Sequence, residues 1–295
     1  MCISPVTLWR KHATIDGRKT DIVPCGKCHE CLASRRNAWS FRLFHEMQNA
    51  NSACFVTLTY GVNEKEGFGK DPPLSSNGLY TLDKTDFQLF MKRLRKKQKR
   101  YYGRYGEQQA DYRPLKYYVV GEYGTNFQRP HYHVILYNLC SYLMDRSLKV
   151  SKEIWQHGNV DIARSNIASI NYVVSYCMKG TWKPECDMDD RQPEYANQSN
   201  GLGITYLTPN IWEMHVDRLD ATVTHPSGFK IPMPRYYKQK IFSKEERKEL
   251  EEIYQQMNHY NWDDLVNMDY KLVHTRLNRE ILKHERNLKQ KRAVL

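Results

Sequence analysis

Three cysteines recur at every third position near the start of the chain, at Cys25, Cys28 and Cys31. This C-x-x-C-x-x-C spacing brings three thiols to one compact turn, and it rarely arises by chance. In a reducing compartment, clustered cysteines favour metal binding over disulfides. Cys2 is the best candidate for a fourth ligand, because four thiolates complete a closed tetrahedral zinc site of the structural type. The segment is therefore predicted to fold around a metal ion.

Two other interpretations of this cysteine cluster remain open. An iron–sulfur cluster uses similar spacing, and the thiols can also be buried without any ligand. His29 lies inside the same loop and is a lesser candidate ligand. The other four cysteines are scattered along the chain, at Cys54, Cys140, Cys177 and Cys186.

The composition indicates a folded, basic protein. The chain has 295 residues, with 45 Lys and Arg against 33 Asp and Glu, a formal charge of +12. Its hydrophobic content of 40% excludes overall disorder. No apolar run approaches the ~18 residues that a membrane span needs, and polar residues break the start too early for a signal peptide. We therefore expect a cytoplasmic protein with no membrane partner. The charge, among 21 Tyr, predicts either a solvated basic surface or a nucleic-acid partner.

Hydrophobic periodicity predicts an alternation of helices and strands. The predicted elements are a helix over 32–49, a strand over 55–60, a loop over 61–79, a helix over 82–99, strands over 115–122 and 131–138, a helix over 167–180 and a polar loop over 183–203. Ser243 and Glu246 form a capping-box pattern, which predicts the start of a charged helical tail.

His131 and His133 flank Tyr132 in a predicted strand. Because alternate side chains of a strand share a face, both imidazoles point the same way and Tyr132 points into a core. Glu122 ends the preceding strand, and the intervening turn would fold it back beside the histidines. A His, His, Glu set leaves coordination positions open, and its oxygen ligand suits Mg²⁺ or Mn²⁺. Packed histidines and a solvated glutamate are the alternative interpretation.

Tyr172, Tyr176 and Lys179 are spaced by four and three residues, so a helix would place them on one face. A tyrosine beside a lysine can act as a nucleophile, because the cation favours the phenolate. Core packing of the two aromatic rings is the alternative. Tyr237 with Lys240 repeats the Tyr-x-x-Lys pattern, so the pattern alone is weak.

These segments occur in an order that resembles the three motifs of HUH endonucleases, which initiate rolling-circle replication. The resemblance rests on a strand FVTLTY, a strand that ends in Glu122, the segment RPHYHVIL and then NYVVSYCMK. The front end MCISP…VPCGKCHECLASRRNAWSFRLFHE is similar to replication initiators of small single-stranded DNA phages of the microvirus group, particularly gokushovirus-like ones. GEYGTNFQRPHYH and PMPRYYKQK are also similar to that group, so the resemblance covers roughly residues 1–240.

The resemblance implies roles for individual residues. It implies that His131 and His133 bind the catalytic metal ion and that Glu122 completes the ligand set. It also implies that Tyr176, paired with Lys179, attacks the scissile phosphate.

Some relatives use two tyrosines one helical turn apart, each followed three residues later by lysine. Here Tyr172 is present, but Ser175 stands where its lysine would be. Tyr172 is therefore the candidate for a second nucleophile.

The fold that the resemblance implies is α+β, with an antiparallel sheet and helices packed on one face, similar to RNA-recognition and ferredoxin-like domains. We expect four segments along the chain: a cysteine-rich cap and first helix over 1–50, the endonuclease core over 51–182, a loop-rich extension over 183–242 and a charged helical tail over 243–295.

The function that the resemblance implies is replication initiation. The protein would nick single-stranded origin DNA by metal-dependent tyrosine transesterification, leave a 5′-phosphotyrosine and a free 3′-hydroxyl, and later rejoin the ends. It would work in the cytoplasm of the bacterial host with host helicase and polymerase, using Mg²⁺ or Mn²⁺ for catalysis and Zn²⁺ for structure. Candidates for contacts to the DNA backbone are Arg35, Arg36, Arg93 and Arg95.

Other functions fit some of the same residues. A noncatalytic, zinc-stabilised nucleic-acid-binding protein would use the histidines for packing alone. A transposase or plasmid relaxase shares the histidine pair and the tyrosine, and a conventional metal-dependent hydrolase would form no covalent protein–DNA species.

Overall fold

The computed structural model describes residues 2–9, 20–104, 112–176 and 186–250. The strands in these ranges are β1 Val6–Trp9, β2 Thr20–Val23, β3 Ala53–Thr59, β4 Lys116–Tyr123, β5 Pro130–Tyr137, β6 Val160–Arg164, β7 Tyr195–Gln198, β8 Thr222–Thr224 and β9 Lys230–Pro232. The α-helices are α1 His29–Asn49, α2 Lys84–Arg104, α3 Ser141–Met144, α4 Ser147–Val150, α5 Ile167–Ser175, α6 Pro209–Asp217 and α7 Arg235–Ile241. A π-helical turn, Ser151–Trp155, follows α4, and a 3₁₀ turn, Ile204–Tyr206, precedes α6.

A five-stranded sheet forms the centre of the fold. Its strand order is β6-β3-β5-β4-β7, and every neighbouring pair is antiparallel. The remaining strands form two small antiparallel pairs, β1 with β2 and β8 with β9. The predicted α+β class with an antiparallel sheet is confirmed.

Helices lie against both faces of the sheet, where one face was expected. On one face, α2 packs through Phe87, Phe90, Met91 and Leu94 onto even-numbered residues of β3 and β5. On the other face, α1 and α5 pack onto Ile135 and other residues of β4 and β5. The reason is that β5 is apolar on both sides, so both of its faces gain free energy by leaving water.

The helices and strands with the strongest hydrophobic patterns agree with the sequence prediction. α1 spans the predicted 32–49 helix, and α2 spans the 82–99 helix, which extends to Arg104. The stripe of α2 that faces the core is the one predicted from its apolar spacing. β3, β4 and β5 fall within two residues of their predicted bounds.

Two edge strands depart from the prediction. β7 lies inside the segment predicted as a loop over 183–203, and it pairs with β4 at one edge of the sheet. β6 was not predicted, and it pairs with β3 at the other edge. Both are short and largely exposed, so they lack the apolar alternation that predicts a strand. The predicted 167–180 helix is α5, which ends at Ser175, and residues 177–185 lie outside the described ranges.

Contacts divide the chain into two units. The first comprises Met1–Trp212 and Thr222–Pro234, and the second comprises Glu213–Ala221 and Arg235–Leu295. The predicted capping box is confirmed, since the Glu246 amide donates to Ser243 Oγ at 3.1 Å and the Ser243 amide donates to Glu246 Oε2 at 2.6 Å. Residues 244–250 are helical, and the rest of the predicted tail lies outside the described ranges. The division into four segments stays a prediction.

Among the helices of the described ranges, none combines the length and the hydrophobicity that a bilayer crossing needs.

Candidate active site

Three neighbouring strands bring polar side chains together on the sheet face that α1 and α5 cover. In the antiparallel register, His131 of β5 lies opposite Glu122 of β4 and opposite Thr59 of β3. His133 lies opposite Thr57 in the adjacent row. The turn between β4 and β5 therefore brings Glu122 beside the two histidines.

The Glu122 carboxylate lies between the two imidazoles. Its Oε1 atom is 2.8 Å from His131 Nε2 and 3.2 Å from His133 Nε2. One ligand atom from each of these three residues lies within 4.8 Å of the other two. Glu122 and His133 are buried, whereas the His131 side chain keeps 19% of its exposure. We call Glu122, His131 and His133 the triad.

The outer ring nitrogens are held by neighbouring groups. His131 Nδ1 lies 3.2 Å from the Arg129 carbonyl oxygen, which can only accept, so Nδ1 carries a hydrogen. In a neutral ring, the Nε2 lone pair then points at Glu122. His133 Nδ1 lies 3.2 Å from Thr57 Oγ1. Converging lone pairs and a carboxylate need a cation among them, so the triad fits a divalent ion with open coordination positions.

The tyrosine-bearing helix α5 is fixed by its cap and by its buried face. At its start, Asn166 Oδ1 accepts from the Ser169 amide at 2.9 Å, and Ser169 Oγ accepts from the Asn166 amide at 2.8 Å. Ile170, Val173 and Val174 are buried against the sheet. Residues that follow each of these by two or three positions are thereby directed along the surface of the sheet, where the triad lies.

Both predicted tyrosines lie beside His133. The Tyr176 ring stacks on the His133 ring, with centroids 5.7 Å apart and an angle of 18°. The Tyr172 ring meets the same imidazole edge-on at 5.4 Å. The Tyr176 hydroxyl donates to the Tyr172 hydroxyl at 2.6 Å. Tyr172 is 48% exposed, so the pair of hydroxyls is open to solvent on one side.

Partial burial and the hydrogen bond to Tyr172 raise the pKa of Tyr176 above its usual value, and the nearby Glu122 carboxylate raises that pKa further. A cation at the triad would act in the opposite direction, since positive charge favours the phenolate. The predicted partner Lys179 lies outside the described residues.

The four N-terminal cysteines converge as predicted. Their Sγ atoms all lie within 4.8 Å of one another. Cys28 Sγ is 3.8 Å from Cys2 Sγ, and Cys25 Sγ is 4.0 Å from Cys31 Sγ. Sulfur ligands at about 2.3 Å from a tetrahedral zinc ion lie about 3.8 Å apart. The cluster therefore fits one tetrahedral ion, whereas an iron–sulfur cluster must fit several atoms between its thiolates.

The cysteine cluster joins the β1–β2 hairpin to the N-terminus of α1. Cys28 is the N-cap residue of α1, and Cys31 lies in its first turn. The amides of Lys27 and Cys28 donate to Cys25 Sγ at 3.4 and 3.3 Å. These hydrogen bonds lower the pKa of the Cys25 thiol, as suits a metal-binding thiolate.

Comparison with known proteins gives one consistent result. Residues 53–181 match the family model for the replication-associated protein ORF2. The replication-associated protein VP4 of Bdellovibrio phage phiMH2K is 30% identical over 72% of this chain and 65% of its own length. The chain is a relative of the phage replication-associated proteins. It carries the triad and both tyrosines within the matched segment.

Other replication-associated proteins of phages give similar matches. ORF4 of Chlamydia phage 1 is 28% identical over 73% of this chain and 52% of its own length. ORF2 of Spiroplasma virus 4 is 26% identical over 75% of this chain and 68% of its own length. The matched part thus spans between about half and two thirds of these replication-associated proteins. No solved structure matches the chain.

The four predicted DNA-contact arginines are divided between two faces of the sheet in this relative of the replication-associated proteins. Arg35 and Arg36 lie on α1, on the same side of the sheet as the triad. Arg93 and Arg95 lie on α2, on the opposite side. Arg93 Nη1 donates to the Ile154 carbonyl at 3.2 Å, which is a contact within the fold. Backbone contacts by these arginines stay a prediction.

Sequence reasoning missed two β3 residues that support the triad. Phe55 stacks on the His133 ring at 5.4 Å and 18°, and Thr57 contacts its Nδ1 atom. In the sequence, both look like ordinary strand residues. Their role follows only from the pairing of β3 with β5, since Phe55, Thr57 and Thr59 alternate onto one face.

A buried hydrogen-bond chain that the sequence did not reveal ties α5 to α1. The Ser227 amide donates to His225 Nδ1 at 3.1 Å, so His225 Nε2 carries the hydrogen and donates to Ser40 Oγ at 3.1 Å. Ser40 Oγ then donates to Asn171 Oδ1 at 2.7 Å. Burial lowers the pKa of His225, which keeps the ring neutral. Asn171 precedes Tyr172, so the chain fixes the helix next to the tyrosines.

Thr57→Val is expected to weaken metal binding at the triad by about 10- to 100-fold, because it removes the hydroxyl that orients His133 while it keeps the shape of the side chain. Calorimetric titration with Mn²⁺ measures the effect. Thr59→Val is the matched control, since Thr59 lies on the same face but donates to the Asn159 carbonyl. Equal Mn²⁺ affinity in both variants would contradict the assigned role of Thr57.

Proposed function

We propose that this protein initiates phage DNA replication by nicking single-stranded DNA through a tyrosine nucleophile. The observation that carries the proposal is the pair of hydrogen-bonded tyrosine hydroxyls beside His133, whose Nε2 atom faces Glu122. A nucleophile next to a candidate metal site is the arrangement that phosphoryl transfer needs. The similarity to phage replication-associated proteins supports replication as the process.

The reaction is a transesterification at one phosphodiester. The Tyr176 oxygen forms a bond to phosphorus, and the bond from phosphorus to the 3′-oxygen breaks. The products are a 5′-phosphotyrosine and a 3′-hydroxyl, which takes up a proton as it leaves. The phosphotyrosine retains the energy of the original ester, so the reverse step can rejoin ends without ATP.

The residues around Tyr176 divide the work. Glu122, His131 and His133 would hold Mg²⁺ or Mn²⁺, which when bound neutralises charge on the phosphate and orients it for in-line attack. Tyr172 accepts the hydrogen bond of Tyr176 and, being exposed, gives its proton a path to solvent. Tyr172 is also the candidate for a second nucleophile in the rejoining step. Lys179 would offset charge on the phenolate or the phosphate.

The cysteine cluster is assigned a structural zinc ion. The support is the spacing of the four sulfurs, which matches the edge of a ZnS₄ tetrahedron. Four protein ligands leave no open position, so this ion would stabilise the hairpin and the start of α1 without taking part in the reaction.

The proposed setting is the cytoplasm of a bacterial host, with the phage origin strand as the substrate. Host polymerase would extend the free 3′-hydroxyl, and a host helicase would separate the strands.

Denaturing electrophoresis tests the proposed activity. The full-length protein is incubated with end-labelled, single-stranded DNA of the phage's own genome, with and without Mn²⁺. We expect a metal-dependent labelled species that migrates with the protein and disappears after proteinase treatment. Cut DNA without attached protein would indicate a conventional hydrolase, and bound but intact DNA would indicate a noncatalytic binding protein. Adducts on unrelated sequences alone would favour a transposase or relaxase.

A further inference from the structure

A cavity of about 430 Å³ lies on the side of the sheet opposite to the triad. It lies between the C-terminal half of α2 and the α3–α4 segment, both of which pack on the other core. The residues that line it are Lys97, Arg100, Tyr101, Arg104, Tyr142 and Lys149. We call it the α2 pocket.

The α2 pocket is strongly basic. Four of its six lining residues carry positive charge, and none carries negative charge. Glu153, beside the pocket, accepts from Lys97 at 2.6 Å and lies 3.5 Å from Lys149, which fixes both ammonium groups at the rim. Arg100 and Arg104 are exposed and one helical turn apart. Two guanidinium groups at this spacing suit the phosphates of a polyanion.

The α2 pocket also contains a column of flat groups. The rings of Tyr101 and Tyr142 stack with centroids 4.9 Å apart and an angle of 19°. The Arg146 guanidinium lies 4.1 Å from the Tyr142 ring centre, at the outer end of the column. Lys149 Nζ donates to the Tyr142 hydroxyl at 3.0 Å, which lowers the pKa of Tyr142 and fixes the ring. Nucleic-acid bases stack on such aromatic and guanidinium planes.

We propose that the α2 pocket is a second nucleic-acid site, which binds backbone phosphates and one base of single-stranded DNA on the face opposite to the triad. The strand is the one that the proposed function nicks, so this inference rests on that function for its substrate. Cations alone would fit any polyanion, whereas cations beside an ordered aromatic column favour an unpaired strand. The sheet separates the two sites, so a strand must be long to reach both.

Oligonucleotide length separates the two sites experimentally. Binding is measured by fluorescence anisotropy in the absence of Mn²⁺ and Mg²⁺, with single strands of about 8 and about 40 nucleotides that contain the nicking sequence. Arg100→Ala/Arg104→Ala is the test variant, and Lys92→Ala/Lys96→Ala is the control, since it removes the same charge from exposed positions of α2 that do not line the pocket. Tyr142→Leu tests stacking with the charge unchanged.

The test variants are expected to weaken binding of the long strand about tenfold while binding of the short strand stays unchanged. The arginine variant should also lower the slope of log affinity against log salt by about 1.4, or about 0.7 for each lost phosphate contact. The control should change affinity less than twofold. Equal losses in the arginine variant and its control, or an unchanged affinity in Tyr142→Leu, would overturn the proposal.

Two further outcomes separate this inference from others. If a nucleoside monophosphate displaces the long strand at similar concentrations, the pocket is a nucleotide site and the proposal fails. If the unaltered protein forms no DNA adduct but the length-dependent losses appear, the proposed nicking fails while the α2 pocket stands.

Discussion

Tyr176→Phe is expected to reduce formation of the covalent protein–DNA product by about a thousandfold or more, because it removes the attacking oxygen. The phenylalanine ring still stacks on His133, so binding of single-stranded DNA should change little. Tyr172→Phe is expected to cost about tenfold, since it removes the hydrogen-bond acceptor of the Tyr176 hydroxyl. The yield of adduct on a denaturing gel measures both effects.

The double variant and a matched control complete this test. Tyr172→Phe with Tyr176→Phe should leave no adduct. Tyr112→Phe changes an exposed tyrosine that packs against Tyr102 near the end of α2, and it should leave the yield unchanged. Adduct that survives in both single variants but not in the double would make the two tyrosines interchangeable nucleophiles. Adduct that survives in the double variant would refute the tyrosine mechanism.

Loss of the cysteine-bound metal is expected to destabilise the fold strongly. Binding of a structural zinc ion is worth about 10 kcal/mol or more, and the ion here would join β1–β2 to the start of α1. We expect Cys28→Ser to lose one equivalent of zinc per chain and to lower the melting temperature by about 10 °C or more. Metal analysis and thermal unfolding followed by circular dichroism measure the two effects.

The matched control for the zinc site is Cys186→Ser, since Cys186 is exposed and lies outside the cluster. It should keep its zinc and its melting temperature. Iron and sulfide in the purified protein would replace the zinc assignment by an iron–sulfur cluster. An unchanged melting temperature in Cys28→Ser would contradict a structural role for the cluster.

The centre of the fold was predictable because its elements carry strong local patterns. β3 and β5 are rich in β-branched and aromatic residues, and α2 has a regular apolar stripe. The edge strands were not predictable, because the sequence YANQ of β7 has no buried face to leave a pattern. The second helical layer had a signal that was not used, since the run VIL in β5 continues without the polar alternation of a half-solvated strand.

The candidate site was predictable only where one strand or one helix sets the geometry. The shared face of His131 and His133 follows from strand periodicity, and the spacing of Tyr172 and Tyr176 follows from one turn of helix. The distance between that helix and the histidines depends on tertiary packing, which local patterns do not encode. The same holds for Thr57, whose contact with His133 depends on the register between β3 and β5.

Peptide mapping of the covalent adduct tests the central claim most directly. Trypsin cleaves after Arg164 and Lys179, so one peptide, residues 165–179, contains both Tyr172 and Tyr176. After nuclease digestion of the DNA, a nucleotide mass should remain on this peptide, and fragmentation should assign it to Tyr176. A nucleotide mass on a peptide from elsewhere in the chain would contradict attack by a tyrosine held beside the Glu122, His131 and His133 site.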